Sequence, residues 1–489
     1  AFVAAFRVPD LIFNLVVLGA LSAAFIPLFT EKLVRGRKGV QEAWGFSVSV
    51  LNVVVVAVAV LCVLYALMAS IIIPWLAPGF GGEKLSLTIE LSRIMAWQPV
   101  LLAISFVFSG ILNSYKKFVV YALAPILYNL GIVFGVIVLV PAVGTIGLAW
   151  GVVLGASMHM VVQLPSVLRL GWRWRLSFNW RSDDLKKLWQ MMVPRVVGLA
   201  AAQVNLVVVT VIGSTLLAGS IAVFHLANNV QHMPIGVFGI AFAQAAFPTL
   251  AEQMARGRKD QFRNTLTRVF SYIMYFVIPI SLFFYLLRAQ IVRILFGDGA
   301  FDWEDTILTF DTFGWLVISI FAQATIPLLA RAFYVQQDTK TPVVISLLSM
   351  GLNVLLAIWL APIMGVTGLA LAFSAAAIGQ LALLLGVLHW RLGGFNDKQV
   401  MASMIRITFA AIVAGGILQV LKYPVAAVVD MQRFWGVLLQ LLITAAAGAA
   451  TYVLVTWWLG SEELLAVKKY LPRKPVLDLP EGTDTSRFE

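Results

Sequence analysis

The sequence predicts an all-α polytopic membrane protein, and three observations carry that prediction. Hydrophobic residues make up 61% of the 489 residues and charged residues only 12%, whereas a soluble domain is about a quarter charged. Apolar runs of roughly 20 residues, the length a helix needs to cross the hydrocarbon core, follow one another almost to the C-terminus. The alternating apolar and polar segments of about 10 residues that mark a membrane β-barrel are absent. Because hydrocarbon offers no hydrogen-bond partners, each run must satisfy its own backbone, which selects helix.

The apolar runs and their breakers place thirteen spans at about 1–33, 44–76, 86–113, 118–141, 145–168, 188–218, 222–255, 264–295, 306–333, 341–362, 366–389, 400–421 and 434–459. Arg7, Pro9 and Asp10 sit in the first turns of the first run, so it reads as a structural helix kinked near its outer end rather than a secretory signal. Glycine and proline clusters, such as Ala77-Pro78-Gly79-Phe80 and Phe296-Gly297-Asp298-Gly299, mark tight loops between runs. From Ser461 the chain becomes charged, which predicts a short amphipathic piece followed by disorder.

The net charge of +12 would suit a nucleic-acid partner if it formed one basic face, but the basic residues are spread through short loops. No nucleic-acid partner is expected. Alternate loops differ sharply in Lys and Arg. One set includes Lys32 to Lys38, Lys116 and Lys117, Arg256 to Lys259, and the C-terminal tail, while the other holds Lys84, Arg288, Arg293, Lys422 and Arg433. By the positive-inside rule the first set, with the C-terminus, is cytoplasmic. The single cysteine, Cys62, lies inside an apolar run, which leaves no disulfide framework or thiolate metal site.

Slid against itself by 221 residues, the sequence matches itself twice. Pro27 to Lys38 falls on Pro248 to Lys259, with Pro, Glu and the basic Arg-Gly-Arg-Lys turn shared, and Pro141 to Ala149 falls on Pro362 to Ala370. Both copies put the basic turn on the same side, so the repeats are parallel, as in transporters with a path between two lobes. The expected division is an N-terminal lobe at 1–170, a C-terminal lobe at 171–391, two additional helices at 392–459 and a cytoplasmic tail at 460–489. The repeat also implies one further helix before residue 1, giving fourteen in all.

The four histidines have neither HExxH spacing nor a carboxylate partner in sequence, so catalysis is not expected. No acidic residue sits mid-span, which disfavours a proton relay. No cofactor or metal is implied. Aligning Pro9 with Pro234 sets Arg7 opposite His232 and brings Asn14 and Asn228-Asn229-Val230-Gln231-His232 to the starts of equivalent helices. These donors suit an anion-binding cavity. Amides also join helices, and Arg7 near the outer interface can instead snorkel as an anchor. Arg195, beside Pro194, divides between the same two roles. Arg93, with Glu90 nearby, and Arg406 read as local anchors. Gln203, Asn205, Gln244, Gln323, Asn353 and Gln380 read as helix-joining residues. In Gln337-Asp338-Thr339-Lys340-Thr341-Pro342, Pro342 suits a first helical turn, with Thr339 or Thr341 as its cap.

Ala77-Pro78-Gly79-Phe80, Ile111-Leu112-Asn113 before a basic turn, Ala124-Pro125, and Phe333-Tyr334 followed by Gln337 to Pro342 resemble, in order and along essentially the whole chain, the MurJ/MviN lipid II flippases of the multidrug/oligosaccharidyl-lipid/polysaccharide exporter superfamily. The resemblance implies two lobes around a cationic cavity in a bacterial cytoplasmic membrane. That cavity would carry a lipid-linked diphosphate oligosaccharide across, with the last two helices holding the polyprenyl tail. It also implies that Arg7 contacts the diphosphate and that cell-wall synthesis proteins are possible partners. The chain departs from the family pattern at Phe13-Asn14, where many members have an arginine pair. Further departures are Leu18, Asn228-Asn229 and His232. Exporters of other lipid-linked glycans, drug/cation antiporters of the same superfamily, and a non-transporting membrane scaffold are the alternatives.

Overall fold

Helix is the only regular structure in the described part of the computed structural model, which covers residues 1–15, 22–33, 35–176, 183–297, 301–394 and 396–465. At 22–24, 36–37, 191 and 193–202 only the backbone is described. The expectations for Leu18 and for the tail from residue 466 therefore lie outside the described residues.

The helices are α1 (Phe2–Ile12), α2 (Ser22–Leu33), α3 (Gly36–Leu76), α4 (Gly82–Met95), α5 (Gln98–Ser114), α6 (Phe118–Phe134), α7 (Val140–Val143), α8 (Ile146–Val161), α9 (Leu164–Arg169) and α10 (Asp183–Ser214). They continue with α11 (Ser220–Pro234), α12 (Ala241–Ala255), α13 (Lys259–Leu286), α14 (Arg288–Phe296), α15 (Trp303–Val317), α16 (Ile320–Val335), α17 (Lys340–Met364), α18 (Val366–Leu392), α19 (Asp397–Val428) and α20 (Phe434–Trp458). Ten helical stretches are long and apolar enough to cross a membrane, or eleven if α15 and α16, bent by 42°, count as one. The expected spans at 1–33 and 188–218 both include residues or side chains outside the description.

Three of the expected runs are interrupted in the structure. The run at 86–113 is two helices, α4 and α5, meeting at Ala96 and Trp97, and 306–333 bends at Ile318 and Ser319. The run at 264–295 breaks at Leu287 between α13 and α14. Prolines account for other irregularities. Pro99 and Pro165 sit in the first turn of α5 and α9, where the missing N–H costs nothing. Pro234 lies inside a run, and the chain widens just after it into a π-turn at Ile235–Ile240. A wider turn re-satisfies carbonyls that an interior proline frees. The same widening follows Pro9, at residues 13–15, so α1 runs through its proline before the distortion.

Local backbone geometry recurs at the spacing seen in the sequence. Lys116 and Gln337, 221 residues apart, are the non-glycine residues with positive φ among the described residues, at 58° and 60°. Each turn is closed alike: Lys117 N–H donates to Leu112 O at 2.8 Å, and Asp338 N–H to Phe333 O at 3.0 Å. Gly144 and Gly365 share positive φ. A Cβ on Gly147 would lie 2.5 Å from the Leu139 backbone, and one on Gly368 equally close to Leu360.

Two units are distinguishable by internal packing, one comprising 1–225 and 346–372, the other 226–345 and 373–489. In the first, Phe25 stacks on Phe29 and Phe46, and Phe108 meets Trp172 edge-on, in a core around α2, α3 and α5. Its helices α6 and α8 meet through glycines: a Cβ on Gly131 would lie 2.3 Å from Gly155 Cα, and one on Gly135 2.5 Å from Gly151 Cα. In the second unit α13, α19 and α20 pack through Tyr275, Ala410, Ala414 and Tyr452, and the Tyr452 hydroxyl donates to Tyr275 O at 2.7 Å. Exposed Trp435 and Trp457 stand near opposite ends of α20. Their separation along the helix is about 33 Å at 1.5 Å per residue, the spacing of aromatic belts around a hydrocarbon core.

Candidate functional site

Arg7 is the most constrained of the sequence-selected residues. Its neighbours Ala4, Ala5 and Pro9 are buried, and Arg7 itself is only 6% exposed. The guanidinium turns inward rather than snorkelling: Nε donates to Thr210 Oγ1 on α10 at 3.0 Å. Thr210 Oγ1 in turn donates to Leu206 O at 2.9 Å, so one hydroxyl both accepts from the arginine and ties itself to its own helix. Asp10, one turn along α1, acts on Arg7 as an opposite charge and is hydrogen-bonded to Asn14. Arg7, Asp10, Asn14 and Thr210 thus form one polar group within the first unit. A guanidinium has five donors, of which Nε uses one among the described residues, and its fork geometry suits a planar or phosphate oxyanion.

The residues of the second unit do not behave as one set. Asn228 is buried, and its Oδ1 accepts from Gln231 Nε2 at 2.8 Å. Gln231 accepts from Gln323 Nε2 at 3.2 Å, Gln323 also donates to Ser319 Oγ at 2.9 Å, and Ser319 pairs with Ser374 at 3.0 Å. This chain links α11, α16 and α18, which is the helix-joining use of an amide. Asn229 and His232, three residues apart and so on one helix face, are exposed. Adjacent Asn228 and Asn229 therefore point to different surroundings. Arg195 lies in α10 with its side chain outside the described residues.

Of the residues read as structural, Asn353 donates to Asn205, and Arg93 Nε donates to Ala66 O at 3.1 Å, which anchors α4 on α3. The cap of α17 is corrected. Asp338, rather than Thr339 or Thr341, accepts from the N–H groups of Lys340 at 2.9 Å and Thr341 at 3.0 Å. It also takes the Thr341 hydroxyl at 2.6 Å and an Arg391 ion pair. Thr341, through its hydroxyl and N–H, holds the Asp338 carboxyl well below the usual carboxylate range, with Arg391 adding to the effect.

One buried polar cluster escaped the sequence reading. Ser105 Oγ lies 2.6 Å from His159 Nδ1, Gln163 Nε2 donates to Ser105 Oγ at 2.8 Å, and Ser109 Oγ donates to Gln163 Oε1 at 2.9 Å. The signal was the paired i, i+4 spacing, Ser105 with Ser109 and His159 with Gln163, which puts two polar residues on one face of each helix. His159 thus has a hydroxyl partner, and the cluster joins α5 to α8. Among the described residues no group of three or more His, Cys, Asp or Glu is placed to hold a metal.

Comparison with known proteins gives a family. The sequence model described as "Lipid II flippase MurJ" matches residues 1–439. A "Probable lipid II flippase MurJ" of Vibrio cholerae is 30% identical over 426 residues, covering 84% of this chain and 80% of its own. Among solved structures, a "Lipid II flippase MurJ, inward closed conformation" superposes with a TM-score of 0.76 at 21% identity, covering 94% of this chain and 92% of that one. An inward-facing multidrug resistance MATE family transporter of the MOP superfamily gives 0.61 at 14% identity, covering 82% and 94%. At these identities the two structures speak for the fold alone.

Proposed function

The chain belongs to the MurJ family of lipid II flippases, and from that premise we propose that it moves lipid II from the inner to the outer leaflet of a bacterial cytoplasmic membrane. The observation that carries this reading is the family match over residues 1–439. Physical chemistry supplies the need. A charged headgroup cannot cross about 30 Å of hydrocarbon unaided, and a polar interior between protein elements shields it. The reading assigns two parallel lobes at 1–170 and 171–391 that open alternately to each side, with no covalent chemistry. It assigns the polyprenyl tail to α19 and α20, whose outward side chains, including Ile405, Phe409, Ile412 and Leu442, are apolar and exposed.

Arg7 is the proposed diphosphate contact. It is a buried cation beside Asp10, Asn14 and Thr210. Cytoplasmic placement of the basic loops and the C-terminus would hold anionic lipid close to the entrance. The test is to express the protein in a bacterium depleted of its own lipid II flippase and to assay lipid II exposed on the outer leaflet. Rescue that is lost in Arg7→Ala, at equal membrane insertion, is the expected result. Normal insertion with no lipid II in the outer leaflet would sink the reading. The neutral amides Asn14, Asn228 and Asn229 would then favour another lipid-linked glycan as cargo.

A further inference from the structure

A polar cavity of about 170 Å³ lies in the second unit where the first turns of α19 meet α13 and the residues just after α20. Its lining includes two cations, Arg268 and Arg406, and two anions, Glu462 and Glu463. Among the described residues none of these four closes an ion pair. Glu463 is only 6% exposed, and its carboxylate accepts from the hydroxyls of Ser403 and Ser461. Neutral hydroxyls orient a buried carboxylate without balancing its charge, and among the described residues no cation pairs with Glu463. Glu462 accepts from Gln399 Nε2 at a long 3.3 Å and is otherwise exposed.

The place of the cavity narrows what can fill it. It follows directly on exposed Trp457 and Trp458, at the end of α20 where the aromatic belt sits. It also shares Thr267 with an apolar cavity of about 320 Å³ lined by Leu266, Phe270, Leu329, Leu385 and Val400. A ligand for both carries a cation, an anion and, beside them, a hydrocarbon chain. We infer that this is a binding site for a zwitterionic phospholipid with a primary-amine headgroup, its phosphate against Arg268 and Arg406, its ammonium against Glu462 and Glu463, and an acyl chain in the apolar cavity. A primary ammonium has three N–H donors for the two carboxylates, whereas a trimethylated one has none. An anionic headgroup would leave both glutamates without a counter-charge. The inference does not depend on what the protein transports.

The experiment measures lipid binding by native mass spectrometry on the purified full chain in detergent. The probes are phosphatidylethanolamine, phosphatidylcholine and phosphatidylglycerol of identical acyl chains. Phosphatidylethanolamine is expected to bind about tenfold more tightly than either, the worth of one charge-assisted hydrogen bond. Glu462→Gln should erase its advantage over phosphatidylcholine, and Arg268→Gln should weaken both. Both residues are exposed, and thermal melting verifies that each variant is folded. Equal binding of ethanolamine and choline lipids, tighter binding of phosphatidylglycerol, or a preference untouched by both substitutions would overturn the assignment.

Discussion

Arg7 and Asp338 hold their charges by opposite means, and each arrangement sets its own test. Arg7 is buried with one hydroxyl accepting from Nε. Removing that acceptor by Thr210→Val leaves the cation in place but loosens its aim. Lipid II delivery to the outer leaflet should fall roughly ten- to hundredfold, the worth of one hydrogen bond to a charged group, and less than in Arg7→Ala. Asp338 is fixed by donors on its own turn and by Arg391. Asp338→Ala removes a helix cap worth about 1 kcal/mol, so the melting temperature should drop by about one degree. The folded carboxyl titrates below its unfolded value, so its contribution is complete above about pH 4 and is lost as pH falls through the lower folded value. Melting curves of wild type and Asp338→Ala should therefore differ equally at pH 7 and pH 5 and converge only under more acid conditions. A gap that closes between pH 7 and pH 5 would contradict that origin.

At the scale of elements, small residues decide how closely helices approach. Gly131 and Gly135 on α6 and its extension face Gly151 and Gly155 on α8, with no room for a Cβ between backbones. Such GxxxG spacing replaces the hydrophobic effect, which lipid does not supply, with close van der Waals contact. Gly151→Leu should force α6 from α8 and lower the melting temperature or the yield of folded protein. Gly45→Ala, in α3 with nothing within 4 Å of the added Cβ, should be neutral or stabilising by up to about 1 kcal/mol. Equal effects of the two substitutions would remove the packing argument.

For the whole molecule the claim is orientation, and it rests on the Lys and Arg bias between alternate loops. Single cysteines placed in a Cys62→Ser background test it with a membrane-impermeant maleimide on intact cells. Cysteines at the exposed positions Lys84 and Arg433 should be labelled. Those at Lys117 and Arg258 should react only after the membrane is opened. Labelling of all four from outside would overturn the assigned topology and, with it, the cytoplasmic C-terminus.

Composition and apolar run length determined the fold class, because hydrocarbon solvent leaves a spanning chain no alternative to helix. The 221-residue offset was equally legible. It returned in the structure as matched turns at Lys116 and Gln337 and matched glycines at Gly144 and Gly365, because a turn's conformation depends on neighbours within a few residues. What sequence reading could not supply was the partner of each polar side chain. Arg7 had its candidate role by position, yet Thr210, 203 residues away, decides where its donors point. Asn228 and Asn229, adjacent and alike in chemistry, separate into a buried link in a hydrogen-bond chain and an exposed amide. Arg268 and Glu463 have nothing in the chain between them to suggest a common cavity. Helix formation is decided by each segment and its solvent, whereas the surroundings of a polar group are set by distant segments that only tertiary packing brings within hydrogen-bond reach.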